Sequence, residues 1–185
     1  MRATGVRVAS VTRRRGCRGS EVPNTPSSWP TWYVAILLAY AVFLGAIAIY
    51  DLRWQRIPNR AVYPAVTVAI ALAFVQPTGP WWSFLLAGLF GGCLLFAIAL
   101  ASRGGLGLGD AKLAVLIGLM SGWPSVIAAL FLGFAGGAVV GVGLLASGRL
   151  GRRDPMPFGP ALAAGAIAAI FVGPQLVRVL WPVFG

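Results

Sequence analysis

Apolar positions in this chain come in long blocks rather than alternating with polar ones. Residues 1–30, MRATGVRVASVTRRRGCRGSEVPNTPSSWP, show no apolar periodicity and end in Ser and Pro. Six apolar blocks then follow, at 31–50, 61–75, 81–101, 111–122, 123–147 and 160–181. A helix needs about 20 apolar residues to cross a bilayer. The blocks 31–50, 81–101 and 123–147 meet that length unaided, the last with enough left over to tilt. The blocks 61–75 and 111–122 are shorter and must borrow flanking residues. The pattern predicts an all-α polytopic membrane protein, a bundle of six transmembrane helices over 31–185. A disordered basic tail over 1–30 precedes it, and a start codon placed too early would also produce such a tail. No contiguous apolar stretch lies before residue 31, so the tail does not read as a cleavable signal peptide.

Charge between the blocks alternates. The gap 51–60 carries Arg53, Arg56 and Arg60, the gap 102–112 carries Arg103 and Lys112, and the gap 148–154 carries Arg149, Arg152 and Arg153. QPTGP at 76–80 and SGWP at 121–124 carry none. Positive charge favours the cytoplasmic side of a membrane protein. The expected topology is therefore a multi-pass protein of the cell inner or plasma membrane. Its loops 51–60, 102–112 and 148–159 face the cytoplasm and both chain ends lie outside. The six Arg of the tail argue the other way, but the nearest, Arg18, is well separated from the first block.

Composition agrees and removes several function classes. Hydrophobic residues make up 58% of the chain and charged residues 10%. A soluble domain of this size could not hide so much apolar surface. The net charge of +11 comes from fourteen Arg and one Lys, clustered in the tail and the gaps with no aromatic interleaving. Topology control explains it better than nucleic acid, which is not an expected partner. The two cysteines, Cys17 and Cys93, form no CxxC pair and the chain has no His. Neither a metal site nor a disulfide is expected. GLFGG at 88–92 and GFAGGAVVGVG at 133–143 supply small residues that let membrane helices approach closely.

Against this background two aspartates stand out. The chain has four acidic residues, Glu21, Asp51, Asp110 and Asp154. Asp51 ends the first block in YDLRWQRIPN and Asp110 opens the fourth in GLGLGDAK, both on the expected cytoplasmic side. An ionisable group at membrane depth faces the protein interior or a water-filled cavity. Each has a structural alternative: Asp110 as a helix N-cap, Asp51 as the partner of Arg53 or Arg56. Taken together at equivalent depth, they suit a different chemistry. Two close carboxyls share a proton. The ionised one can draw a proton from water while the protonated one donates to a peptide carbonyl. Gly104, Gly105, Gly107 and Gly109 would let the backbone approach a substrate strand. A phosphate-binding loop is excluded, because neither GxGxxG nor a Walker lysine in context is present.

DLRWQRIPN (51–59), GLGDAKL (107–113) and MPFGPALAAGA (156–166) together resemble the motifs of the type IV prepilin peptidase family, in order and in membrane context. The resemblance implies an integral membrane aspartic endopeptidase without cofactor or metal. Its substrates would be prepilins or pseudopilins, which carry a basic leader and then an apolar helix. Pilus or secretion machinery would be its further partners. Asp51 and Asp110 carry over as the catalytic pair, and Gly107, Gly109 and Lys112 as motif positions. Lys112 has three open roles: tuning the pair, contacting substrate, or snorkelling to the interface. Pro58, Asn59, Pro157 and Gly159 are expected to shape loops. Larger family members hold a CxxC-bearing cytoplasmic domain and also methylate the new N-terminus. This sequence resembles the small, protease-only branch that serves Tad or Flp pili, which implies no methyltransferase activity. Two readings compete: a presenilin-like GxGD intramembrane protease, and a non-enzymatic small membrane transporter or subunit.

Overall fold

A computed structural model describes residues 29–55, 57–102, 107–148 and 158–184, with side chains described as far as Val172. Six helices follow in order: α1 (Thr31–Trp54), α2 (Asn59–Ala73), α3 (Trp81–Ala101), α4 (Leu108–Ser121), α5 (Ser125–Ala146) and α6 (Gly159–Phe184). All regular elements among the described residues are α-helical, one for each apolar block. The expected tail falls outside the described residues except for Trp29 and Pro30, as do Arg56, Arg103, Arg149, Arg152, Arg153 and Pro157.

Prolines set the helix entries. Pro30, Pro58, Pro80 and Pro124 stand immediately before α1, α2, α3 and α5. A fixed φ and a missing N–H cost nothing where no intrahelical partner exists. α1 ends at Gln55, which takes the left-handed conformation at φ 50° and returns its N–H to the Asp51 carbonyl. Two boundaries differ from the apolar blocks in a way that matters. α1 continues past Tyr50 to Trp54, so Asp51 lies in its last turn, and α4 begins at Leu108, so Asp110 lies in its first. Backbone hydrogen bonding carries a helix beyond the apolar stretch that hydropathy marks.

Three helices, α1, α3 and α5, are long and apolar enough to cross a membrane. α2 and α4, with 15 and 14 residues, fall short of a full hydrocarbon core of about 30 Å. α4 has a reason to be short. It packs against α2, α3, α5 and α6, and Ala111, Leu113, Ala114, Ile117 and Met120 bury different sides of it. A helix apolar all round and covered by protein is a core helix.

Close backbone approach joins the helices in pairs. A Cβ on Gly118 of α4 would meet the Ala87 carbonyl of α3, and one on Gly165 of α6 would meet the Gly133 backbone of α5. Side chains at these two seams would cost about 1–3 kcal/mol or more in overpacking. α1 leans on α6 through a stripe at Tyr33, Leu37, Tyr40, Leu44 and Ile47, spaced three and four residues apart. Its other face, with Leu38 and Val42 exposed at 63% and 72%, suits lipid.

Candidate active site

The stripe on α1 does not stop at Ile47. Its next position is Asp51, 5% exposed, so the same periodicity that buries the leucines turns this carboxyl inward. A carboxylate near the C-terminal end of its own helix opposes the helix dipole. Asp51 is instead held by the start of another helix: its Oδ2 accepts the N–H of Gly159, the first residue of α6, at 3.1 Å. There the dipole favours an anion. Position 159 has no room for a side chain, since a Cβ would lie 2.6 Å from the same Oδ2. Phe158 seats this turn against α5, with its ring 5.1 Å from that of Phe134 and over Gly137. Among the described residues Asp51 thus bonds to α6 rather than pairing with Arg53, which is exposed two positions on.

Asp110 is the third residue of α4 and not its N-cap, which is Gly107. Its backbone N–H bonds the Gly107 carbonyl at 3.0 Å, and its carboxyl takes a hydrogen bond from the Gly107 backbone. This is the back-reaching half of a capping box. Asp110 is 6% exposed and within electrostatic reach of Asp51. Beside it, a Cβ on Gly109 would stand 2.9 Å from Ile57 Cβ, so the α1–α2 connection rests directly on the α4 entry. Burying a carboxylate in an apolar helix costs about 2.5–3.5 kcal/mol on insertion scales. One charge-assisted hydrogen bond returns about 1.5–3 kcal/mol. Each carboxyl is therefore offset at best, and like charge on Asp51 further disfavours a charge on Asp110. Stability gives no reason for the pair.

Lys112 reaches sideways from α4 to α2. Its Nζ donates to Asn59 Oδ1 at 2.9 Å and stands 4.8 Å from the centre of the Tyr63 ring. Asn59 and Tyr63 are four residues apart and share one helix face. Asn59, expected to shape a loop, is the first residue of α2, and Pro58 is its N-cap. Tyr63, Ile57 and Phe158 were not singled out from the sequence. Tyr63 follows Asn59 by one helical turn, and that spacing was the available signal. Pro157 lies outside the described residues. Among the described residues no three His, Cys, Asp or Glu side chains group where a metal could sit.

Residues 38–142 match the model of the type IV leader peptidase family. The prepilin leader peptidase/N-methyltransferase of Bacillus subtilis (strain 168) is 35% identical over 140 residues, 76% of this chain and 56% of that protein. That of Burkholderia pseudomallei (strain 1026b) is 39% identical over 94 residues, 50% of this chain and 30% of that protein. That of Pseudomonas aeruginosa is 26% identical over 153 residues, 80% of this chain and 53% of that protein. The chain spans about half the length, or less, of these curated relatives. No solved structure matches it.

Proposed function

The chain belongs to the type IV leader peptidase family, and from that membership we propose that it is an integral membrane aspartic endopeptidase. It removes the basic leader of prepilins or pilin-like proteins at the cytoplasmic membrane face. The observation that carries this reading is the juxtaposition of Asp51 and Asp110, buried at one end of the bundle within electrostatic reach of each other. Each is held by a glycine backbone N–H, from Gly159 and Gly107.

The two carboxyls share one proton, because like charges this close do not both ionise in a buried site. The ionised oxygen takes a proton from a water molecule as that water attacks the peptide carbonyl. The protonated partner donates to the carbonyl oxygen; the proton taken from water then passes to the leaving amine as the intermediate's hydroxyl returns the partner's proton, so the pair again holds one. Asp51 and Asp110 are the catalytic residues. Gly107 and Gly159 keep side chains away from the carboxyl oxygens, and Gly109 lets Ile57 rest on the α4 entry. Six membrane spans put the Arg-bearing connections and both aspartates on the cytoplasmic side, where a basic leader is reached from water. The relatives' names add methyl transfer to cleavage. To this chain we assign the cleavage step alone. Residues 55–58 join α1 directly to α2, which leaves no room there for an inserted domain.

Purified protein in detergent or vesicles, given a pilin-like precursor, tests the reading by N-terminal sequencing of the product. Cleavage between the basic leader and the apolar segment is expected. A cut inside the apolar segment would favour the presenilin-like reading, and no cleavage of any of a panel of precursors would sink the assignment.

A further inference from the structure

Residues of α2, α3 and α4 line an open trough of about 520 Å³. Ile70 of α2, Leu85, Leu89 and Phe96 of α3, and Leu108 and Val115 of α4 line it. Leu89, Phe96 and Leu108 are 63%, 50% and 58% exposed, so the trough opens sideways onto the apolar exterior. Along α4 its wall runs from Leu108 to Leu119, about 16 Å or three helical turns at 1.5 Å per residue. One end reaches the first turn of α4, which carries Asp110: Leu108 and Ala111, either side of it in sequence, are in the wall, and Lys112 is the lining's one charged side chain.

We propose that this trough seats the apolar helix of the substrate, the segment that follows the scissile bond. The proposal rests on the peptidase reading and adds to it where the substrate lies. A substrate with a basic leader and an apolar segment divides between two media. The leader stays in water at the Arg-bearing end, and the apolar segment stays in the bilayer. For the bond between them to reach Asp51 and Asp110, the apolar segment must run beside the first turn of α4. Among the described residues the trough is a concave apolar surface continuous with that turn. Its size suits partial seating: three turns of a bare helix about 10 Å across fill roughly 1,300 Å³, so the trough takes a little under half and lipid covers the rest. Lipid occupies it between substrates, and an apolar helix displaces that lipid without leaving a polar group unpaired. The second cavity, about 290 Å³ beside Tyr33 and Trp123, lies at the opposite end of the bundle and cannot serve the aspartates.

A native thiol reports on the trough, since Cys93 is exposed and lies in its wall. The full chain carrying Cys17→Ser and Asp51→Asn is mixed in membranes with uncut precursors, each bearing one cysteine along the apolar segment, and oxidised. Disulfides to Cys93 are expected at positions that repeat every three or four residues and disappear in Cys93→Ser. In the active chain, Cys93→Trp fills the trough and is expected to raise KM about tenfold with kcat changed less than about twofold. Val139→Trp, on the exposed face of α5, is expected to change neither. Cleavage by Cys17→Ser protein is followed in the same membranes. Efficient cleavage without patterned cross-links, or with an unchanged KM in Cys93→Trp, overturns the trough and leaves the peptidase reading intact. Absence of cleavage overturns both.

Discussion

At one end of the bundle two carboxyls are buried, each against a single glycine N–H; at the other end the buried polar groups are neutral. There Ser83 Oγ donates to the Trp123 carbonyl at 3.2 Å and accepts the Trp123 N–H at 3.0 Å. Gln76 Nε2 donates to the Leu119 carbonyl at 3.4 Å. Tyr40 OH and Gln76 Oε1 are buried without a partner among the described residues, and Tyr40 faces the 290 Å³ cavity. A neutral group can be left orphaned for about 1–3 kcal/mol, a cost that a packed bundle absorbs. Two buried carboxyls cost more, and the single hydrogen bond that each receives offsets that cost at best. The glycines differ in the same sense. At 118 and 165 they let helices touch, whereas at 159 the excluded Cβ would strike a carboxyl oxygen. The neutral end tolerates imperfect pairing, while the aspartate end holds a fixed geometry.

The contrast breaks first at the aspartates. Asp51→Asn and Asp110→Asn should each lower leader cleavage by about 10²- to 10⁴-fold, with membrane level and thermal midpoint kept or raised, because one buried charge is gone. A fall in stability matching the loss of activity would make the pair structural. Gly159→Ala should come next, at about 10²-fold in kcat. It displaces Asp51 by its own methyl while the α6 helix persists by circular dichroism. A smaller effect belongs to Lys112. Lys112→Met and Asn59→Ala should each cost about tenfold in kcat/KM, the loss of one charge-assisted hydrogen bond. The double variant should cost little more than Lys112→Met alone, because both changes remove the Lys112–Asn59 hydrogen bond. The weakest effects should lie at the far end. Tyr40→Phe should leave cleavage unchanged and raise stability by up to about 1 kcal/mol, read from thermal unfolding. If Tyr40→Phe instead slowed cleavage, the two ends would be coupled and the contrast would need redrawing.

Much of this was legible in the sequence. Six apolar blocks gave six helices because hydropathy acts on long stretches. The inward aim of Asp51 follows from counting threes and fours from Tyr33, a stripe that needs no tertiary information. Gly159 came from motif resemblance alone; nothing local says that its backbone faces a carboxyl 108 positions earlier. The contacts of Lys112 with Asn59 and Tyr63, of Gly109 with Ile57, and of Phe158 with Gly137 were not legible. Each depends on the register of one helix against another, which side-chain packing sets. The extension of α1 past Asp51 to Trp54 was missed because hydropathy ends where polar residues begin, while backbone hydrogen bonds do not. The trough was hidden for a related reason: its wall is shared among α2, α3 and α4, and no single segment encodes that.

The central claim is that Asp51 and Asp110 act as one unit sharing a proton, and single-turnover cleavage of a precursor by purified Asp51→Asn, Asp110→Asn and the double variant tests it most directly. Groups that act as a unit are strongly non-additive. The account predicts that each single variant loses nearly as much rate as the double, with all three proteins folded and binding precursor. A single variant that still cleaves at close to the wild-type rate, or a double variant whose loss is the product of the two singles, would contradict it.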